Sequence, residues 1–301
     1  MKVVYGHTDS IYVQIDNVEK AQETIKVIES EVRKKFPNVL GLEQHPVVLE
    51  FEKYYSALGV GTTKNRNAGM ITWDDGVWLD KPKFTMTGFT AKRVSETKLS
   101  KEVQTTVLTM WVNQKSFAEI NKYCNDTYNA VLNGKIPIES VIKRSRLKEE
   151  RLIVKCPDII KNLRNGCNKR HNITDLEEKY CSKCGVSTKN FTTLDNKKPS
   201  ISAGIAGVVT AYQKGNANFD DSYLYAKVKT NDVWVNPLTK EVKAVEYISA
   251  STYEDFSEVD IDWKHYAETV LKKAEPVYKA MGWDLSSIRT GTIQSSLEEW
   301  F

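Results

Sequence analysis

The stretch Val3-Val4-Tyr5-Gly6-His7-Thr8-Asp9-Ser10-Ile11-Tyr12 constrains the fold more than any other part of the chain. An apolar pair leads in, and the alternating run Ile11, Tyr12, Val13, Gln14, Ile15 leads out. Gly6 and Asp9 sit between them. This pattern predicts two short strands joined by a tight turn, with Asp9 at its tip. A lone hairpin is marginally stable in water, so neighbouring strands are expected, from this chain or from another polypeptide. A carboxylate held on a rigid hairpin is a good metal ligand, because its position is set before the metal arrives. Gly, Asp and Ser also populate ordinary polar turns. Local chemistry alone leaves both readings open.

The chain then reads in order. Asn17 to Phe36 predicts a helix, capped by Asp16 or Asn17, with Ala21, Ile25, Ile28 and Val32 as its apolar stripe. His45 to Tyr55 predicts a strand. Glu50 and Glu52 share one of its faces, either supporting a metal site or lying on the surface as plain carboxylates. Thr63-Lys64-Asn65-Arg66-Asn67-Ala68-Gly69 reads as a basic hairpin, and Phe84 to Arg93 as a further strand ending in Lys92 and Arg93. Helices are expected over Ser95–Gln114 and within Ser100–Gly134, the latter packing through Ala118, Ile120, Tyr123, Val131 and Leu132. Ile201 to Tyr212 resembles a strand, as does Val233-Trp234-Val235, and Asp260 to Met281 predicts a long helix kinked at Pro276. The switch from strands to helices near residue 94 predicts a domain boundary.

Four of the five cysteines, Cys156, Cys167, Cys181 and Cys184, fall within 29 residues. In a chain without a secretion signal, clustered cysteines point to metal before disulfides. Cys181-Ser-Lys-Cys184-Gly has the spacing of half a zinc knuckle. Cys156 and Cys167 are separated by ten residues, an irregular first half, and His171 is an alternative fourth ligand to Cys167. Reduced free thiols are the competing reading. From Lys143 to Arg170 ten Lys or Arg face three acidic residues, a run that suits either a phosphate backbone or a solvated face. The net charge of +4 does not by itself announce a nucleic-acid binder. With 41% hydrophobic and 27% charged residues, and no stretch long enough to span a membrane, a cytoplasmic globular protein is expected. At the C-terminus, Gln294-Ser295-Ser296-Leu297-Glu298-Glu299-Trp300-Phe301 puts Leu297, Trp300 and Phe301 on one face of a helical turn, with Gln294 beside them. Such a turn docks in a partner's apolar pocket or packs on its own domain.

Taken in order, these stretches resemble DNA polymerase family B, its archaeal members most. Residues 5–10 are similar to the family's Tyr-Gly-Asp-Thr-Asp-Ser motif, with His7 in place of the first Asp and Asp9 in place of the second, which the resemblance marks as a metal ligand. Leu49–Glu52 is similar to the palm strand beside it. Residues 63–69 resemble the Lys-Lys-Arg-Tyr-Ala-Gly segment that grips primer-template, matching at Lys64, Arg66, Ala68 and Gly69. Gly88, Lys92 and Arg93 fit the Gly-x-Glu-x-x-Arg-Arg-Asp run at the palm-to-thumb boundary. The C-terminal octapeptide looks like a sliding-clamp-docking peptide. The resemblance implies an α+β fold: a partial antiparallel palm sheet with helices over 1–94, a mainly helical thumb over 95–291, and a clamp-binding tail at 292–301; the cysteine window departs from the family's usual thumb and, on its spacing, is expected to be a zinc-binding insertion at about 154–190.

It further implies two-metal nucleotidyl transfer in DNA replication or repair. Asp9 holds Mg2+, with Thr8, Glu50 and Glu52 in support, and Lys64, Arg66, Lys92 and Arg93 on DNA. The four cysteines are expected, on their spacing and not on the resemblance, to hold a structural Zn2+. Implied partners are primer-template DNA, deoxynucleotide, the sliding clamp and a large N-terminal polymerase fragment, since the family's other catalytic aspartate and its fingers helix are not in this sequence. Such a chain is the small part of a split polymerase or a truncated one, inactive alone. A polymerase remnant that tethers DNA to the clamp is the alternative.

Overall fold

The computed structural model describes residues 2–7, 9–158, 166–215 and 219–290. Thr8 and the C-terminal Gln294, Leu297, Trp300 and Phe301 therefore lie outside the described residues. In chain order the elements are β1 (Lys2–Gly6), β2 (Ile11–Gln14), α1 (Val18–Lys35), β3 (Lys53–Val60), β4 (Asn67–Asp74), β5 (Val77–Thr87), α2 (Lys98–Val112), α3 (Phe117–Leu132), β6 (Lys143–Arg146), β7 (Ile153–Lys155), β8 (Arg170–Asn172), α4 (Ala203–Gln213), β9 (Ser222–Lys227), β10 (Val233–Val235), β11 (Val242–Ala244), β12 (Tyr247–Ala250), α5 (Trp263–Leu271), α6 (Glu275–Met281) and α7 (Ser286–Thr290). This is a mixed α+β chain with small antiparallel sheets. No described helix is long and apolar enough to cross a membrane.

Two compact units divide the chain. The first comprises Met1–Thr90, Val103–Asn125 and Lys273–Phe301; the second comprises Ala91–Glu102 and Asp126–Lys272. The first division falls four residues before the expected boundary, and later segments return to the first unit.

In the first unit β1 and β2 pair antiparallel, Gly6 opposite Ile11, with a bulge between Val3 and Tyr5. β3, β4 and β5 form an antiparallel meander with β4 central. Asp74 and Val77 pair across the two-residue loop Asp75-Gly76, both at positive φ. Asp-Gly is the preferred chemistry for such a turn, because it twists with the strands it joins. On β4 the side chains of Ala68, Ile71 and Trp73 are buried, and Trp73 stacks on Phe51 with ring centroids 4.3 Å apart. A Cβ on Gly69 would stand 2.6 Å from the Tyr55 ring, so only glycine fits there.

The α1 cap is Asn17, whose side chain accepts from the Lys20 N–H. The expected strand from His45 begins its ladder only at Lys53. Ahead of it, Val47, Leu49 and Phe51 alternate half-buried with exposed Val48, Glu50 and Glu52. This stretch bonds to α1 instead: Arg33 Nε donates to the Val47 carbonyl at 2.9 Å, and the Leu49 N–H reaches Glu29 at 3.4 Å. Backbone groups of an extended segment take the partners that tertiary structure offers.

On α3 the buried positions are Ile120, Cys124, Tyr128 and Val131, one helical stripe. Ala118 and Leu132, expected to pack, are exposed. Ser116 and Glu119 cap α3 reciprocally. The strand expected over Phe84–Arg93 stops at Thr87. Gly88 turns the chain with φ +75, and residues 90–92 form a 3-10 turn.

Later in the chain three expectations are corrected. Ile201–Tyr212 is not a strand but holds α4, capped by the Ser202 hydroxyl. A short apolar run suits a buried helix as well as a strand, and Gly204 and Gly207 let this helix lie against Tyr223 and Ser249, leaving no room for a Cβ. Asp260–Met281 is not one kinked helix but α5 and α6, the second having Pro276 in its first turn, where the missing N–H costs nothing. Finally, the region after residue 94 is not mainly helical. Between residues 135 and 262 α4 is the only described α-helix, and it packs on the sheet β12-β9-β6 beside the pairs β7-β8 and β10-β11. Small sheets need few residues when a thiol cluster and one apolar helix share their core.

Candidate metal centres

β7 and β8 explain the irregular spacing of the first two cysteines. Their ladder pairs Lys155 with Arg170, and the Cys156 N–H continues it by donating to the Lys169 carbonyl at 3.0 Å. Cys156 and Cys167 thus flank the closed end of one hairpin, although ten residues separate them in sequence. Gly166 is required beside Cys167, since a Cβ there would overlap the Pro157 carbonyl oxygen, at 1.1 Å. Cys181 and Cys184 come from a turn in which the Gly185 N–H donates to the Cys181 carbonyl at 2.8 Å and Gly185 takes φ +73.

These elements bring all four sulfurs within 4.8 Å of one another. Cys156 and Cys184 approach to 3.3 Å, Cys167 and Cys181 to 3.6 Å. Four thiolates at about 2.3 Å from one tetrahedral ion would be spaced by roughly 3.8 Å, so the donor set fits a single soft metal. His171 lies outside the set: its Nε2 is 3.8 Å from Cys181, and its ring tilts against Phe191. Leu152, Val154, Ile173, Val186 and Phe191 pack around the cluster, in which Cys156 and Cys181 are buried and Cys167 and Cys184 half-buried. Burial pushes the Cys156 thiol up to about 12. Burial acts the same way at Cys181, but the N–H groups of Lys183 and Cys184, with His171 and Cys167, outweigh it and bring that thiol to about 6. Such N–H groups aimed at a sulfur hold it as a thiolate.

Asp9 stands in a different setting. Its side chain is 88% exposed and pairs with the His7 imidazole, Nδ1 to Oδ1 3.5 Å. The His7 N–H donates to the Ser10 carbonyl at 2.8 Å. Behind the tip, Tyr5, Tyr12 and Tyr55 form a row with centroids 5.3 and 5.9 Å apart, which ties the hairpin to β3. The Tyr5 hydroxyl is buried and has no hydrogen-bond partner among the described residues. Glu50 and Glu52 are exposed. Among the described residues the four thiols are the only group of three or more His, Cys, Asp or Glu side chains close enough to share a metal. Asp9 therefore offers one ligand position. Mg2+ takes one or two carboxylates, substrate phosphates and water, so Asp9 fits as one of that set.

Lys64 and Arg66 lie on the β3–β4 connection, Lys64 exposed and Arg66 half-buried. Neither makes an ion pair among the described residues. The connection is shaped by Asn65 at φ +62, a conformation that Asn tolerates better than Lys does. It leans on Gly88, where a Cβ would come within 1.9 Å of the Asn65 carbonyl oxygen. Lys92 and Arg93, in the second unit, are exposed. Sequence reasoning missed the Asp75-Gly76 turn, although that dipeptide is a strong hairpin signal. It also missed the pairing of β7 with β8, for which three-residue strands carry almost no signal.

Residues 1–281 match the model of DNA polymerase family B. No curated protein matches the chain. The family match spans nearly its whole length, and the chain belongs to DNA polymerase family B.

Proposed function

We propose that this chain is the C-terminal palm-and-thumb part of an archaeal-type family B polymerase, working as the small subunit of a split enzyme. In the reaction a primer 3′ hydroxyl attacks the α-phosphate of a deoxynucleotide, and pyrophosphate leaves. The observation that carries the reading is Asp9, a carboxylate presented in the open at a hairpin tip within the family match. Asp9 would hold Mg2+, with Thr8, Glu50 and Glu52 in support. When bound, that ion supplies Lewis-acid charge to phosphoryl oxygens. The chain's own residues position the DNA. Lys64 and Arg66 grip primer-template near the new base pair, and Lys92 and Arg93 hold backbone phosphates. The remaining carboxylate and the nucleotide pocket come from a large N-terminal fragment. Gln294, Leu297, Trp300 and Phe301 dock on the sliding clamp. Zn2+ at Cys156, Cys167, Cys181 and Cys184 is structural, because four protein ligands leave no open position for substrate.

A second reading is favoured by one observation: Asp9 pairs with an imidazole and belongs to no carboxylate group among the described residues. On that reading the chain is an inactive polymerase remnant that tethers DNA to the clamp. Primer extension with Mg2+ and deoxynucleotides separates the two, run with this chain alone and mixed with the large fragment from the same source. Extension only in the mixture, lost on Asp9→Ala, supports the split enzyme. A stable complex without extension supports the tether.

A further inference from the structure

The four clustered thiols meet as two pairs. Cys156 and Cys184 stand 3.3 Å apart, Cys167 and Cys181 3.6 Å. Both distances are shorter than the roughly 3.8 Å that one tetrahedral ion sets between its thiolates. Each pair takes one sulfur from the closed end of the β7–β8 hairpin and one from the Cys181–Gly185 turn. Each pair also joins a buried thiol, Cys156 or Cys181, to a half-buried one, Cys184 or Cys167. A disulfide holds its sulfurs about 2.05 Å apart, so closing either pair is a side-chain movement of roughly 1–2 Å.

The half-buried thiols have the setting of reactive ones. Lys183 is exposed and adjoins Cys184 in the turn. Lys169, two residues after Cys167, donates to the Ser182 hydroxyl at 3.0 Å and so reaches from the hairpin to the turn. Partly exposed thiols beside cations are the ones that react. The buried thiol of each pair then stands as its resolving partner, the arrangement in which a cysteine stops at a disulfide and does not oxidise further. The fifth cysteine, Cys124, is buried on α3, outside this cluster.

We propose that the cluster is a metal–disulfide exchange centre, which holds one zinc ion when reduced and, on oxidation by hydrogen peroxide, frees it and closes as Cys156–Cys184 and Cys167–Cys181. The inference rests on the reading of the four thiols as a zinc site. In each pair the half-buried thiolate attacks one peroxide oxygen, the O–O bond breaks, and the sulfur becomes a sulfenic acid as hydroxide leaves. The buried thiolate attacks that sulfur, the S–S bond forms, and a second hydroxide leaves. Four thiolates are oxidised, two peroxides are reduced, and the four hydroxides take up protons to become water. The links would span 28 and 14 residues and join the same hairpin and turn that the ion joins, so the local fold outlasts the metal.

The test treats the full zinc-loaded chain with hydrogen peroxide beside a chromogenic zinc chelator. Expected are one zinc released for two peroxides consumed and a mass about 4 Da below that of the reduced, metal-free chain. A non-reducing peptide map should show those two links, with Cys124 free. Dithiothreitol and added zinc should restore the starting form. The oxidised chain should melt above the reduced, metal-free chain, since the links replace the lost ligation. A Cys181–Cys184 link, links between chains, sulfinic acids in place of disulfides, or zinc that stays bound through the peroxide would overturn the exchange and leave the zinc reading standing. A reduced chain that takes up no zinc defeats both.

Discussion

The thiol cluster and the Asp9 hairpin are both mounted on short antiparallel strands, yet one is finished and the other is open. At the cluster, β7–β8 and the Cys181–Gly185 turn deliver four ligands from 29 residues into an apolar shell. At the hairpin, β1–β2 delivers one carboxylate into solvent. On the proposed reading the difference follows from what each must do. A structural metal replaces core, so its ligands must be complete and buried. A catalytic metal must meet substrate, so its ligands stay accessible and the set closes only when substrate and the remaining carboxylate arrive.

That contrast can be broken experimentally. The largest effect is expected at the cluster. Cys184→Ser should abolish binding of one metal ion and destabilise the second unit by about 4 kcal/mol or more, a fraction of the ~10–16 kcal/mol a structural zinc contributes in small domains. Metal content and thermal unfolding would read this, and unchanged unfolding would reduce the cluster to free thiols. Next in size, Asp9→Asn should lower primer extension by the assembled enzyme by about a thousandfold, equivalent to ~4 kcal/mol of barrier. Its unfolding midpoint should not move, since the side chain touches little. A shifted midpoint would make Asp9 a structural residue.

Backbone geometry sharpens the same comparison. Gly88→Ala should cost about 2 kcal/mol, because its φ is +75 and a Cβ would strike the Asn65 carbonyl. Gly6→Ala, with nothing nearer than 4.0 Å to the added Cβ, should cost under about 1 kcal/mol by the same denaturant titration. Equal costs would mean that the hairpin tip is as tightly set as the β3–β4 connection. The smallest change is expected from His7→Asp. The exposed His7–Asp9 pair is worth no more than about 0.5 kcal/mol to folding. The added carboxylate should nonetheless raise Mg2+-dependent extension several-fold, and a fall in rate would show that the imidazole itself is useful.

Much of this was legible in the residues. Alternation around Gly6 and Asp9 marks the first hairpin, Asn17 marks a helix start, and the Cys181–Cys184 spacing marks the turn that brings two thiols into the cluster. Strand identity failed where apolar runs were short and unbroken. Ile201–Tyr212 carries no period that separates a buried helix from a strand, and only its contact with the β12-β9-β6 sheet chose the helix. Val47–Phe51 alternates like a strand, but its backbone partners turned out to be Arg33 and Glu29 on α1. In the sequence Pro276 predicts a kink, because a proline disrupts a helix interior. Its place in the first turn of α6 depended on where α5 ended.

By itself the sequence determined local chemistry: which residues turn, which cap, which thiols and carboxylates exist, and a family likeness carried by their order. Tertiary structure alone decided which of them meet. Cys156 reaches Cys184 through a hairpin ladder and an apolar core, contacts whose partners lie too far apart in the chain for any local pattern to encode. Asp9 remains in solvent for the converse reason. Among the described residues no fold contact brings a second carboxylate to it, and one charge on an exposed turn is no more than half of a metal site.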